Sequence, residues 1–131
     1  MLNNYYDYYQ KLKNSIGKKY LGIILMLMCT VFASTGQVFF KFASEQISLN
    51  PLLLIQNIPL MIGLFSYGLG AVLFTVALRL GDLSLLFPLL ALNFVWVMIL
   101  SSLIFSEVIT GFKILATIFI IIGVSFIGVS Q

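Results

Sequence analysis

This 131-residue chain has few groups with which to do chemistry. It holds no histidine, one cysteine (Cys29) and only four acids, Asp7, Glu45, Asp82 and Glu107. That inventory excludes a structural zinc site, a Cys–His nucleophile pair and an internal disulfide. Paired-carboxylate hydrolysis has almost nothing to draw on, and neither a P-loop nor a dinucleotide fingerprint is present. No enzyme activity, cofactor or metal is expected. What stands out is a set of polar side chains within apolar sequence. Thr30, Ser34, Gln37 and Lys41 follow at spacings of 4, 3 and 4, which places them on one helix stripe. Asn93 and Trp96 share a helix face at a spacing of 3, and Arg79 and Glu107 stand at the ends of apolar runs. Hydroxyl, amide, ammonium and carboxylate groups in this arrangement suit binding a polar or charged headgroup, not breaking a bond.

Each of these residues also has a plainer reading. Thr30 and Ser34 serve equally as close-packing residues between helices. Lys41 either snorkels to the headgroup level or binds a lipid phosphate as a compact cation. Asn93, near the middle of its run, is either a structural amide or part of a cavity wall with Trp96. Pro88, five residues earlier, frees a backbone carbonyl. Glu107 is either a loop acid or the partner of Lys41 or Lys113. Arg79 and Asp82 are expected to form a surface pair across the turn at Gly81, and such pairs contribute little. Thr110 suits the cap of the last helix, with Lys113 in its first turn.

The elements that position these groups are membrane spans. The chain is 61% apolar and 8% charged, with a mean hydropathy of +1.12. A soluble domain carries about 25% charged residues, so too few are present to cover a water-facing surface. Uncharged stretches run over 20–40, 46–78, 83–106 and 114–131. About 20 apolar residues cross the hydrocarbon core as a helix, which predicts an all-α membrane protein with four transmembrane helices. The second stretch is longer than one span needs. It contains Asn50-Pro51 and Pro59, which predict a short interfacial segment near 51–58 and then a helix over about 59–79, the alternative being one long tilted helix from Pro51. In residues 1–18, Leu2, Tyr5, Tyr9, Leu12 and Ile16 repeat at spacings of 3 and 4. They predict a separate amphipathic helix lying on the membrane, ahead of a transmembrane domain over 19–131, the plainer reading being a disordered polar tail. The first apolar run is too long for a signal-peptide core and is expected to persist.

Lysine and arginine set the orientation. Lys11, Lys13, Lys18, Lys19 and Arg79 lie on the N-terminal side, and Lys41 and Lys113 on the other. Both termini are therefore expected in the cytoplasm, with the chain in the cytoplasmic membrane. The net charge of +3 is mostly juxtamembrane lysine, which suits anionic lipid and not nucleic acid. Gly63, Ser66, Gly70 and Ala77 form a small-residue packing face. A similar small-residue end, Gly123 to Ser130, gives a weaker hint of dimer packing.

The string Phe87-Pro-Leu-Leu-Ala-Leu-Asn93-Phe-Val-Trp96-Val resembles the third helix of the small Arn-type subunits. Ser34-Thr-Gly36-Gln37 followed by Lys41 resembles their first helix, and Glu107 with the Ile-Ile-Gly123 run also fits. The resemblance spans roughly Lys19 to Ser130. It implies membership of the drug/metabolite transporter superfamily, near the small multidrug resistance proteins, which are four-helix dimers. It also implies flipping of an undecaprenyl-phosphate-linked aminoarabinose. Ala33 stands where the drug-exporting branch carries a glutamate, which favours the lipid-sugar branch. The 1–18 extension and Asp82 depart from the Arn type, so the sugar can differ.

Together these readings predict a flippase, or flippase subunit, for a polyprenyl-monophosphate-linked monosaccharide. Its substrate-binding residues are expected to be Thr30, Ser34, Gln37, Lys41, Arg79, Asn93, Trp96 and Glu107, lining a polar groove open to the side. The expected partners are the lipid-linked sugar, membrane lipids and a second four-helix subunit, as a homodimer or heterodimer. The rival readings are a small-molecule exporter and a non-transport membrane subunit.

Overall fold

The computed structural model describes residues 2–46 and 51–129, with side chains described over 15–46 and 52–127. The first helix, α1, runs from Leu2 to Ser44 without a break. No proline occurs before Pro51, and an isolated glycine such as Gly17 costs a helix only about 1 kcal/mol relative to alanine. The expected boundary at 18–19 therefore falls inside one continuous helix. Residues 2–18 and the span that follows belong to the same helix. The side chains of 2–14 lie outside the described set, so the expected amphipathic face does too.

The break in the second apolar stretch is where the prolines put it. A short helix, α2, covers Pro51–Gln56, and α3 follows over Ile58–Leu80. Asn57 joins them as the N-cap of α3. Its side chain accepts a 3.0 Å bond from the Leu60 N–H, and Pro59 occupies the first turn, where no intrahelical donor is needed. Asn57 Nδ2 also donates to the Ala43 carbonyl at 3.1 Å, tying the start of α3 to the end of α1. Helix α4 spans Leu83–Phe105 and passes through Pro88 as one element. Helix α5 covers Gly111–Val129.

Ser15–Ser44 of α1, α3 and α4 are each long and apolar enough to cross a membrane. Helix α5 is apolar and shorter, at 19 residues or about 28 Å. Large apolar side chains face outward, as with Phe112 at 86% exposure. In water such a surface would drive aggregation, whereas in a bilayer it meets acyl chains.

α1 is central. It packs along α3 on one side and α4 on the other, while α5 touches only α4. The α1–α3 seam is built from small residues, because helices in lipid associate by close packing. A Cβ on Gly36 would stand 3.1 Å from the Gly63 carbonyl oxygen and 3.2 Å from Tyr67 Cβ. Gly70 lies against the backbone of Cys29 and Ala33, and Gly22 against that of Ala77 and Gly81. Ser66 Oγ crosses the seam to the Phe32 carbonyl at 2.8 Å. Near the Gly81 turn, Met26, Ala77 and Leu86 form a buried cluster that joins α1, α3 and α4.

Candidate functional site

Lys41 lies in the last turn of α1, where the helix dipole favours a cation. At the end of α4, Ser106 takes a left-handed conformation with φ 52°, which turns the chain out of the helix. That turn presents Glu107. Helix α5 then starts at Gly111, with the Thr110 carbonyl accepting from the Lys113 and Ile114 N–H groups at 3.0 and 3.3 Å. Lys113 is thereby placed in the first turn.

The three charges meet. Glu107 Oε1 accepts from Lys41 Nζ in a close ion pair, and Glu107 Oε2 lies 3.5 Å from Lys113 Nζ. Lys41 Nζ also stands 4.1 Å above the centre of the Phe105 ring, a cation–π contact. The Phe105 ring is itself propped by Phe42 at 4.9 Å. The Lys41 ammonium, followed by a hydrogen bond from the Ser101 hydroxyl, holds the Glu107 carboxyl down at a pKa of about 2. All three charged side chains remain partly exposed, at 42% for Lys41, 36% for Glu107 and 49% for Lys113. The cluster can therefore be reached by a lipid headgroup at the membrane surface.

The other predicted residues are placed differently. Thr30 and Ser34 are fully buried, and their hydroxyls donate to carbonyls of their own helix, Leu27 at 2.7 Å and Val31 at 3.0 Å. They face the packed interior and line no open groove. Gln37 is half-buried, one turn before Lys41. Trp96 lines a groove of about 330 Å³ with Leu27, Met28, Val31 and Phe32, so its surroundings are apolar, not polar. Asn93 does not line that groove. Its Oδ1 is buried and has no hydrogen-bond partner among the described residues. Arg79 is exposed at the opposite end of the bundle from Lys41. The expected Arg79–Asp82 pair is not formed; Asp82 instead meets Lys19 of α1 at 3.1 Å. A lysine on α1 reaches across the turn that an i, i+3 reading would close locally.

Of the eight predicted residues, the structure brings Lys41 and Glu107 together, with Gln37 a turn away. It does not join Thr30, Ser34, Asn93 and Trp96 into one polar groove. Phe105 and Phe42 were not among the predictions, although an aromatic two residues before a membrane-edge glutamate is a readable hint of a cation seat.

Comparison with known proteins supplies the remaining part of the picture. No protein-family profile and no solved structure matches the chain. A probable 4-amino-4-deoxy-L-arabinose-phosphoundecaprenol flippase subunit ArnE of Pseudomonas fluorescens is 30% identical over 90 residues, covering 66% of this chain and 79% of the relative. The protein of the same name from Escherichia fergusonii is 27% identical over 105 residues, covering 80% of this chain and 95% of the relative. An all-helical membrane protein aligned with ArnE over most of that subunit's length belongs to the ArnE family of flippase subunits.

Proposed function

We propose that this chain is a flippase subunit that moves a polyprenyl-monophosphate-linked monosaccharide across the cytoplasmic membrane. The observation that carries the reading is the Lys41–Glu107–Lys113 cluster, seated on Phe105 where the membrane-crossing helices α1 and α4 end. The kinship with ArnE supports the lipid-linked sugar as substrate, and the word subunit in the relatives' names supports a partner. The task is transport, not catalysis.

The physical problem is to pass one sugar and one phosphate through hydrocarbon while the isoprenoid tail stays in lipid. Lys41 receives the phosphate at the outer surface, and Glu107 engages the sugar. Gln37, a turn deeper on α1, is the next polar group on the path. Arg79 meets the phosphate at the cytoplasmic surface. The apolar groove beside Trp96 suits the tail, not the headgroup. Thr30 and Ser34 act as packing residues in this conformation, because their hydroxyls are already bonded and buried. The buried Asn93 Oδ1 is an open acceptor near mid-membrane, supporting a donor from the headgroup or from a second four-helix subunit. Lysine and arginine placement supports cytoplasmic termini.

The test is lipid-sugar translocation in vesicles reconstituted with this chain and its partner subunit. Lys41→Ala is expected to lower the rate about a hundredfold, and Gln37→Ala by about tenfold, as for loss of a charged and a neutral hydrogen-bonding contact. Unchanged flipping in both variants overturns the assignment. Flipping by the partner alone points to a non-transport role.

A further inference from the structure

Glu107 has more cations than its charge requires. One carboxylate faces two ammonium groups on two different helices, Lys41 at the end of α1 and Lys113 at the start of α5. The cluster therefore carries one uncompensated positive charge. A sugar-phosphate-polyprenol is a phosphodiester and carries a single negative charge. Lys41 is also the better held of the two lysines, since it pairs with Glu107 and rests on the Phe105 ring as well. Phosphate binding by Lys41 thus has to compete with a carboxylate already in place.

We propose that Lys113 is the holding cation of an exchange: it keeps Glu107 while Lys41 is transferred to the phosphodiester of the lipid substrate. The inference rests on the flippase reading and adds a positioning residue to it. After the exchange the charges alternate, with phosphate against Lys41 and Glu107 against Lys113. Each of these four charges then has a partner of opposite sign. Without Lys113, releasing Lys41 would strand Glu107 at the membrane surface with no counter-ion, so the carboxylate would hold Lys41 back. Phe105 keeps the Lys41 ammonium near the membrane level during the transfer. The separation of Glu107 from Lys113, at 3.5 Å, is long enough to shorten as Lys41 leaves.

This arrangement makes the effect of Lys113 depend on Glu107, which a general attraction between a lysine and an anion does not. The experiment measures equilibrium binding of a short-chain polyprenyl-phosphate monosaccharide to the full chain reconstituted with its partner subunit in phosphatidylcholine vesicles. It compares wild type, K113M, E107Q and the double variant K113M/E107Q. K113M is expected to weaken binding about tenfold when Glu107 is present and by less than about threefold in the E107Q background. E107Q alone frees Lys41 for the phosphate but weakens the contact with the sugar, so it is expected to bind within about threefold of wild type. K113R, which keeps the charge, is expected to bind within about twofold of wild type, so a loss confined to K113M is not a folding defect.

Equal losses from K113M in the two backgrounds overturn the exchange and leave Lys113 as a distant charge. Competition by phosphatidylglycerol as effective as that by the unlabelled polyprenyl lipid assigns the cluster to ordinary anionic lipid and also overturns it. Binding with additive losses removes this inference alone. Absence of binding in wild type and E107Q alike removes the flippase reading with it.

Discussion

The two sides of α1 are built on opposite terms. Toward α3, backbones approach over Gly36, Gly63 and Gly70, Ser66 bonds across to Phe32, and Asn57 ties the helix ends together. Toward α4, two clusters mark the seam. The Met26–Leu86 cluster lies toward one end, and the Lys41–Phe105–Glu107 cluster at the other, with an open groove beside Trp96 between them. The first seam has spent its polar groups on packing, and the second keeps its charges exposed. A flippase needs both, because a moving headgroup requires one wall that holds and one that opens.

Substitutions can break this contrast in graded steps. The largest effect is expected from Gly36→Leu, which drives a side chain into the Gly63 carbonyl and Tyr67 and costs about 3 kcal/mol by overpacking. Thermal unfolding in detergent micelles checks it against Gly123→Leu, where no atom lies within 4 Å of an added Cβ. Asn57→Ala removes both the cap of α3 and its bond to α1, for about 1–2 kcal/mol in the same assay.

On the open side the prediction concerns pH. Because the pKa of Glu107 in the folded chain is lowered to about 2, its pairing stabilises fully above the ordinary glutamate range. That contribution declines as pH falls from there and is lost on passing below about 2. Isotope-edited infrared titration is expected to find the carboxylate band persisting below pH 4, and Lys41→Ala to return its midpoint toward the ordinary value. The smallest effect belongs to Lys19→Met, which removes an exposed pair with Asp82 and shifts stability by less than about 0.5 kcal/mol.

Single residues show why some of this was legible in advance. The spans follow from hydropathy, and the break before α3 follows from Pro51 and Pro59, because proline acts locally. The small-residue face of Gly63, Ser66, Gly70 and Ala77 was readable by period alone, and it is buried. The meeting of Lys41 with Glu107 was one of two open readings, and a partner 66 positions away is decided only by packing. The stripe on α1 shows the limit most clearly. Its spacing places Thr30, Ser34, Gln37 and Lys41 on one face, but spacing does not say what covers that face. At Thr30 and Ser34 the cover is packed protein, and at Lys41 it is an aromatic ring and a carboxylate. The pairing of Asp82 with Lys19 was hidden for the same reason, since helices far apart in sequence become neighbours only in the bundle.

The unbroken run of α1 joins the span to the segment that precedes it. The 43 residues from Leu2 to Ser44 extend about 64 Å, well past the roughly 45 Å that includes both headgroup layers. The 17 residues from Leu2 to Lys18 alone reach about 25 Å along the same axis. For a stiff lever of that length, a tilt change of about 20° in the bilayer sweeps the tip sideways by some 8–9 Å. Rocking of the span would thus be carried along α1 toward Leu2, since one helix runs through both.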